Sequence, residues 1–287
     1  MMARPVRSRL AVTRPAVTPS AIAANVALGV IALVFVIPLV WLVTSAVNRG
    51  AGLPLEFPTD PTLANFAKVL TWEMTFRPML NGLILSGGSA VIVAVFATLA
   101  AYPLSRYKLR FGQPFLYGVL FGSCLPITAI MVPVYAMFVQ VNLIDNRAGV
   151  ILFMSATALP YAVWMTKNFM DAVPIELEEA AWTDGANSLQ ALLRIVGPLM
   201  VPGIVAIFVF NLIEAWGNFF IPFILLLDPK KFPIAVSLFN FFGHHGEVYY
   251  GQLAAFSIMY TVPVIVLYVM VQRVLQQAFR LQGAVKG

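Results

Sequence analysis

The sequence predicts an all-α membrane protein of six transmembrane helices, with a short helix-turn-helix at the membrane surface between the fourth and fifth. Three observations predict it. First, the 287 residues are 60% hydrophobic and only 10% charged, with a mean hydropathy of +0.87. Soluble chains carry about 25% charged residues, so this chain cannot hide its apolar surface in water and lipid is its expected solvent. Second, six apolar stretches reach the roughly 20 residues that a helix needs to cross a bilayer core of about 30 Å. They are 22–47, 82–104, 115–139, 148–167, 199–227 and 253–275. Third, the basic residues alternate in density from loop to loop. Arg4, Arg7, Arg9, Arg14, Arg106, Lys108, Arg110, Lys167, Arg194, Arg273, Arg280 and Lys286 fall on one side. Half as many, Arg49, Lys68, Arg77, Arg147, Lys230 and Lys231, are spread over longer loops on the other. The positive-inside rule puts both termini and the 174–198 loop in the cytoplasm.

Each stretch is expected to be helical, because unpaired backbone groups are too costly in lipid. The 22–47 stretch follows a basic N-terminus and reads as an uncleaved signal anchor, being long enough to span. Asn81, at the start of the second stretch, reads as a helix-end cap. Pro38, Pro103, Pro126, Pro133, Pro160, Pro222 and Pro263 interrupt the spans. Neighbouring helices and water can re-satisfy the carbonyls that each proline frees. Two readings stand for them: ordinary kinks, or kinks that shape a translocation path. No repeat divides the chain and no low-complexity linker appears, so 1–287 reads as a single transmembrane domain.

The segment 174–198 is polar, acidic at its start and too short to be a domain. Pro174 suits a first helical position, where its missing N–H costs nothing. Glu176, Glu178 and Glu179 then fall in the first turn, where the helix dipole favours negative charge. Ala180 and Ala181 have no bulk and permit close approach to another surface. Gly185 marks a turn. Asn187 and Ser188 are acceptable caps for a second short helix, which Pro198 is expected to end or redirect. From composition alone this is a solvated amphipathic loop with dipole-matched acids.

The spacing says more. Glu179-Ala180-Ala181, three residues, Gly185, nine residues, Ile195, two residues and Pro198 stand in the order of the EAA loop of bacterial ABC importer permeases. The likeness continues elsewhere. Leu99-Ala100-Ala101-Tyr102 with Arg106, Tyr107 and Phe111-Gly112 resembles a second-span exit. Pro126, Pro133 and Tyr135 resemble a third span, and Pro160 with 169–174 a lead-in to the loop. Gly283-Ala284-Val285-Lys286-Gly287 resembles a C-terminal tail. Together they resemble the carbohydrate-uptake, MalG-like branch of the binding-protein-dependent transport inner-membrane components, over most of the chain from about residue 80. One departure is Trp216-Gly217-Asn218-Phe219, where the family often has Trp-Asn-Glu-Phe.

The resemblance implies the type I ABC importer permease fold, with a cytoplasmic coupling helix that docks on an ATPase. It implies ATPase-coupling roles for Glu179, Ala180, Ala181, Asp184, Gly185, Ile195 and Pro198. It also implies a second, nonidentical permease subunit, an ATPase dimer holding ATP and Mg, an extracytoplasmic solute-binding protein, and a place in the bacterial inner membrane. The expected cargo is a sugar or oligosaccharide; the alternative is a polyol or glycerol phosphate. No cofactor is expected on this chain, which lacks G-x-x-x-x-G-K-[ST], so it is not read as an enzyme.

Asn211, Glu214 and Asn218 lie three and four residues apart, on one helical face of the fifth span. An ionisable residue inside a span is by default a functional-site hypothesis. The face either lines the substrate pathway or joins helices by hydrogen bonds. Trp216 could stack on a sugar ring, though it points elsewhere on the helix. His244-His245 reads as part of an exposed loop, since adjacent histidines share no helix face and no third metal ligand is obvious. The single cysteine, Cys124, excludes an intrachain disulfide framework and a Cys-based zinc site. The charge placement accounts for the basic pI without nucleic acid. A secondary transporter would need several deep ionisable residues and usually a repeat. An intramembrane hydrolase would need a Ser or Asp with a His inside the spans; both histidines lie in a loop, and G-x-S-x-G is absent.

Overall fold

The computed structural model describes residues 19–242 and 248–284, with side chains for 21–242, 248–270 and 272. The histidine pair, the basic residues before position 19 and the tail from Val285 lie outside them. The described chain is built from α-helices: α1 (Pro19–Ala46), α2 (Ala64–Val69), α3 (Arg77–Arg106), α4 (Gly112–Ser123), α5 (Ile127–Gln140) and α6 (Arg147–Asp171). Then come α7 (Glu176–Thr183), α8 (Ser188–Ala191), α9 (Gly197–Gly217), α10 (Phe220–Leu225), α11 (Ile234–Ser237) and α12 (Tyr250–Ala284).

Helix α3 is central and packs chiefly against α6 and α9. Its buried residues include Gly82, Ser86, Ser89, Val93, Ala97 and Ala101, three or four apart and mostly small. In lipid, helices associate by close packing rather than by a hydrophobic driving force, and small side chains let backbones approach. Gly82 shows how close: a Cβ there would lie 3.0 Å from Trp216. Helix α1 stands apart. Its residues 21–39 are exposed, and it packs against α12 through a cluster that includes Ala46, Ala254 and Ala255.

Five described helical stretches are long and apolar enough to cross a membrane, or six if a bent pair counts as one span. That pair corrects the expectation of a continuous helix over 115–139. Helices α4 and α5 meet at 92°. The cause is local. Pro126 disfavours helical geometry at the residue before it and itself sits at φ −58°, ψ 128°. At the end of α4, Ser123 Oγ, at 2.7 Å, and Cys124 Sγ, at 3.5 Å, both donate to the Leu120 carbonyl. The fifth span is also shorter than expected: α9 ends at Gly217, and a new short helix, α10, starts at Phe220. Pro38, Pro103, Pro133, Pro160, Pro202 and Pro263 sit inside helices.

Two further expectations are corrected here. Asn81 caps nothing; it is buried inside α3, where it donates to the carbonyls of Lys230 (2.9 Å) and Phe232 (3.0 Å) and accepts from Arg147 (2.8 Å). Trp216 is 2% exposed and stacks on Tyr260, with centroids 5.8 Å apart. Its indole N–H donates to the Tyr260 carbonyl. It is packing, with no face free for a sugar.

The Asn81 contacts belong to a polar knot at the N-terminal end of α3. Asp145 has a φ of +58°, a region that Asp tolerates. Its carboxylate accepts from Leu227 N and Asp228 N, each at 3.0 Å, and pairs with Lys231. The Lys231 hydrogen bond and the two backbone N–H groups hold this carboxyl down to about 2. An unfolded Asp titrates near pH 4, at about 3.9. The knot's stabilisation is therefore full above about pH 4 and is lost as pH falls through about 2. Asp145→Asn keeps the backbone conformation and the acceptor oxygen but not the charge. In detergent the parent should melt above this variant by a constant margin from pH 7 to pH 5. Below pH 4 the margin should shrink; a margin that widens in acid contradicts the assignment.

Candidate functional site

The loop between α6 and α9 folds as expected in outline. Helix α7 carries Glu176, Glu178 and Glu179 in its first turn. It closes with a full Schellman motif: Gly185 N donates to Trp182 O at 3.0 Å and Ala186 N to Ala181 O at 2.9 Å. Gly185 has a φ of +89°, the left-handed conformation that favours glycine at this position. Asn187 then caps α8, and its side chain and that of Gln190 bond reciprocally to each other's backbone N–H, both at 2.9 Å. Glu179, Ala180, Asp184 and Gly185 are exposed and Ala181 is half-buried. Exposed Leu177, Leu189 and Leu193 add apolar surface to the same loop.

Three details differ from expectation. Pro174 precedes α7 rather than starting it, since Ile175 is the N-cap. Pro198 does not end the second helix. A π-helical turn over Leu192–Val196, closed by Gly197 N on Leu192 O, carries α8 into α9 without a break, and Pro198 occupies the first turn of α9. There its missing N–H is tolerated. Ile195, half-buried, and Pro198, exposed, therefore belong to the continuing helix rather than to the α7 turn.

Glu178 has the opposite environment to Glu179. It is 0% exposed. One carboxylate oxygen accepts from Tyr102 at 2.9 Å and the other pairs with Arg106. Arg106 also donates to the Val173 carbonyl at 3.1 Å. Beside it Ser105 donates to Asp171 at 2.6 Å, and Tyr107 bonds Ser188 at 3.0 Å. The end of α3 thus grips both the α6–α7 elbow and the start of α8.

Asn211, Glu214 and Asn218 are divided among three tasks. Asn211 is buried and accepts from Ser89 of α3 at 3.2 Å; Ser89 in turn accepts from Ser155 of α6 at 3.4 Å. This is helix-to-helix bonding. Asn218 lies between α9 and α10, where its side-chain oxygen accepts from Ile221 N at 3.1 Å. Glu214 is exposed and borders two cavities. The larger, about 460 Å³, lies at the α4–α5 break between Ser123, Leu125, Thr157, Pro160, Glu214 and Asn218. The smaller, about 220 Å³, lies between Tyr161, Ile207, Phe210, Asn211 and Glu214. Pro160 thus borders a cavity and Pro126 breaks the helix pair beside it, Pro222 lies in the short α10, and Pro38, Pro103, Pro133 and Pro263 sit inside α1, α3, α5 and α12.

Residues 90–281 match the family model of the binding-protein-dependent transport system inner membrane component. The chain belongs to this family. A putative ABC transporter permease, ORF1 of Streptomyces antibioticus, is 31% identical over 80% of this chain and all of that one. The melibiose/raffinose/stachyose import permease MelC of Bacillus subtilis strain 168 is 28% identical over 90% of this chain and 94% of its own. Among solved structures, a bacterial ABC transporter that imports the acidic polysaccharide alginate aligns with a TM-score of 0.77 and 23% identity. That alignment covers 94% of this chain and 99% of the other, and establishes the fold.

The protein is a multi-pass permease subunit of an ABC importer. The permease holds two groups of residues whose contacts sequence reasoning missed: Tyr102, Arg106 and Glu178 between α3 and α7, and Asp145, Arg147 and Lys231 in the knot. A signal existed for the first. Tyr102 and Arg106 stand four apart at a helix end and share a face, which calls for an acidic partner. Three glutamates in one turn offered it, and only the fold selects Glu178.

Proposed function

We propose that the permease imports a neutral saccharide, a di- or oligosaccharide, and couples its passage to ATP hydrolysis on a separate ATPase. The observation that carries the cargo class is the cavity at the α4–α5 break. Its polar rim is Ser123, Thr157, Glu214 and Asn218, and Glu214 is the one ionisable side chain among the lining residues. Hydroxyls donate well to a carboxylate and to an amide oxygen. A phosphate would face that carboxylate with no cation in the lining. At an effective dielectric of about 20, two like charges 4 Å apart repel by about 4 kcal/mol. This argues against glycerol phosphate. MelC, a relative over most of its length, is named for saccharide import, in keeping with this reading.

The exposed edge of α7, with Glu179, Ala180, Asp184 and Gly185, is the proposed docking surface for the ATPase. ATP and Mg would sit on that ATPase, and Ile195 and Pro198 would carry the motion into α9. A second permease subunit, a dimer of ATPases and a solute-binding protein complete the assembly, and both termini lie in the cytoplasm.

The cargo is tested by uptake of radiolabelled melibiose, raffinose, diacetylchitobiose and glycerol 3-phosphate in cells with and without the permease gene. Loss of uptake of at least one of the saccharides alone is expected; loss confined to glycerol 3-phosphate overturns the reading. Orientation is tested in a Cys124→Ser background. Single cysteines at Arg110 and Gly185 should resist an impermeant thiol reagent added to intact cells, and one at Lys230 should react. Labelling at 185 from outside inverts the topology.

A further inference from the structure

The Arg106–Glu178 pair is placed differently from every other ion pair among the described residues. Its side chains are 4% and 0% exposed, whereas the Glu73–Arg77, Asp171–Lys167 and Asp145–Lys231 pairs each leave a partner substantially open. Burying two charges is expensive, and the attraction between them offsets the cost only when geometry and extra hydrogen bonds are good. Here they are. Tyr102 bonds the second carboxylate oxygen, and the guanidinium bonds Val173 O and Ser105. Such a pair contributes little net stability compared with apolar packing. What it supplies is orientation: a bonded carboxylate and guanidinium define the angle between their helices in a way that apolar contact does not.

We infer that Arg106, Glu178 and Tyr102 are positioning residues that make α7 and the end of α3 move as one body, so that a displacement at the docking edge is delivered to α3. This rests on the proposed docking of α7 on the ATPase. The downstream half of the route is polar as well. Ser89 of α3 bonds Asn211 of α9, one turn from Glu214. Force applied at Glu179 thus has a bonded path through Glu178, Arg106 and α3 to the helix that borders the cavity. Without the clamp, the α6–α7 elbow at 172–175 is free to bend, and α7 can follow the ATPase while α3 stays behind.

The test uses the whole assembly, permease pair with ATPase, in nanodiscs and in a Cys124→Ser background. Spin labels are placed at Lys108, just past α3, and Thr183, at the end of α7; both are exposed. A second pair at Leu99 and Leu152 monitors α3 against α6. Pulsed EPR distances are read without nucleotide and with ATP plus vanadate. The parent should give one Lys108–Thr183 distance in both states. Glu178→Gln should broaden it and shift it on trapping, with the Leu99–Leu152 distance unchanged.

Glu178→Gln leaves Arg106 unmatched, so Arg106→Met/Glu178→Gln, which buries no lone charge, is measured beside it and should also shift. If neither inserts, Tyr102→Phe removes one hydrogen bond and no charge, and it should broaden the distribution. A fixed, parent-like distance in the inserted variants overturns the proposal. Docking is read separately, from access of a water-soluble relaxation agent to the Thr183 label. A label still open in the complex overturns the docking reading and with it the role of the clamp. A shielded label with a fixed variant distance overturns the clamp alone.

Discussion

Gly185→Pro and Ala181→Trp should each abolish transport and the hydrolysis stimulated by the loaded binding protein, while leaving an inserted, folded permease. Proline fixes φ near −65°, whereas Gly185 stands at +89°. It also deletes the N–H that bonds Trp182 O. The Schellman turn cannot form, and α8 leaves α7 in a different direction. A non-native backbone conformation of this kind costs about 1–3 kcal/mol, which the loop has no buried core of its own to absorb. Ala181→Trp acts by bulk beside the docking edge, where the half-buried Ala181 leaves little room. Both should lower stimulated hydrolysis about tenfold or more, a loss of at least about 1.4 kcal/mol of coupling. Normal transport by both variants would remove the coupling role of this loop.

Glu214→Gln should lower saccharide transport about tenfold with the assembly intact, and Glu214→Lys should lower it further. Asn211→Ala should behave differently. Its side chain is buried between α9 and α3, so its loss should reduce thermal stability, by about 0.6 kcal/mol if it follows the average for hydrogen bonds between membrane helices. Melting in detergent and uptake in vesicles separate the two residues. Equal effects of Glu214→Gln and Asn211→Ala on both measurements would mean that the cavity rim and the helix joint are not distinct.

The spanning helices were legible because a helix in lipid needs a long apolar run and this chain has them. The turn at Gly185 and the cap at Asn187 were legible because their chemistry is local. The right-angle break at Pro126 was not. Seven in-span prolines looked alike, and what distinguishes this one is that it follows the end of α4, where Ser123 and Cys124 turn their side chains onto the Leu120 carbonyl. The Asp145 knot was illegible because its partners lie more than 80 residues away. Pro198 misled because it sits beside a π-turn that absorbs the register change. Period put Asn211, Glu214 and Asn218 on one face of the fifth span, but α9 ends at Gly217, and period alone could not tell a joint, a cavity wall and a residue past the helix end apart.

Helix α1 packs on α12, the pair most distant in sequence among the described helices. In synthesis, α1 precedes every other described helix and its partner follows them all. Until then α1 must persist as a lone span, and its composition allows that: residues 21–39 carry no charge, and 28 residues make about 42 Å of helix, more than a bilayer core of about 30 Å. The bundle of α3, α6 and α9 can assemble in the meantime without it. Closure of α1 onto α12 thus joins the first and the last of the described helices, and a chain interrupted before α12 leaves α1 without that partner.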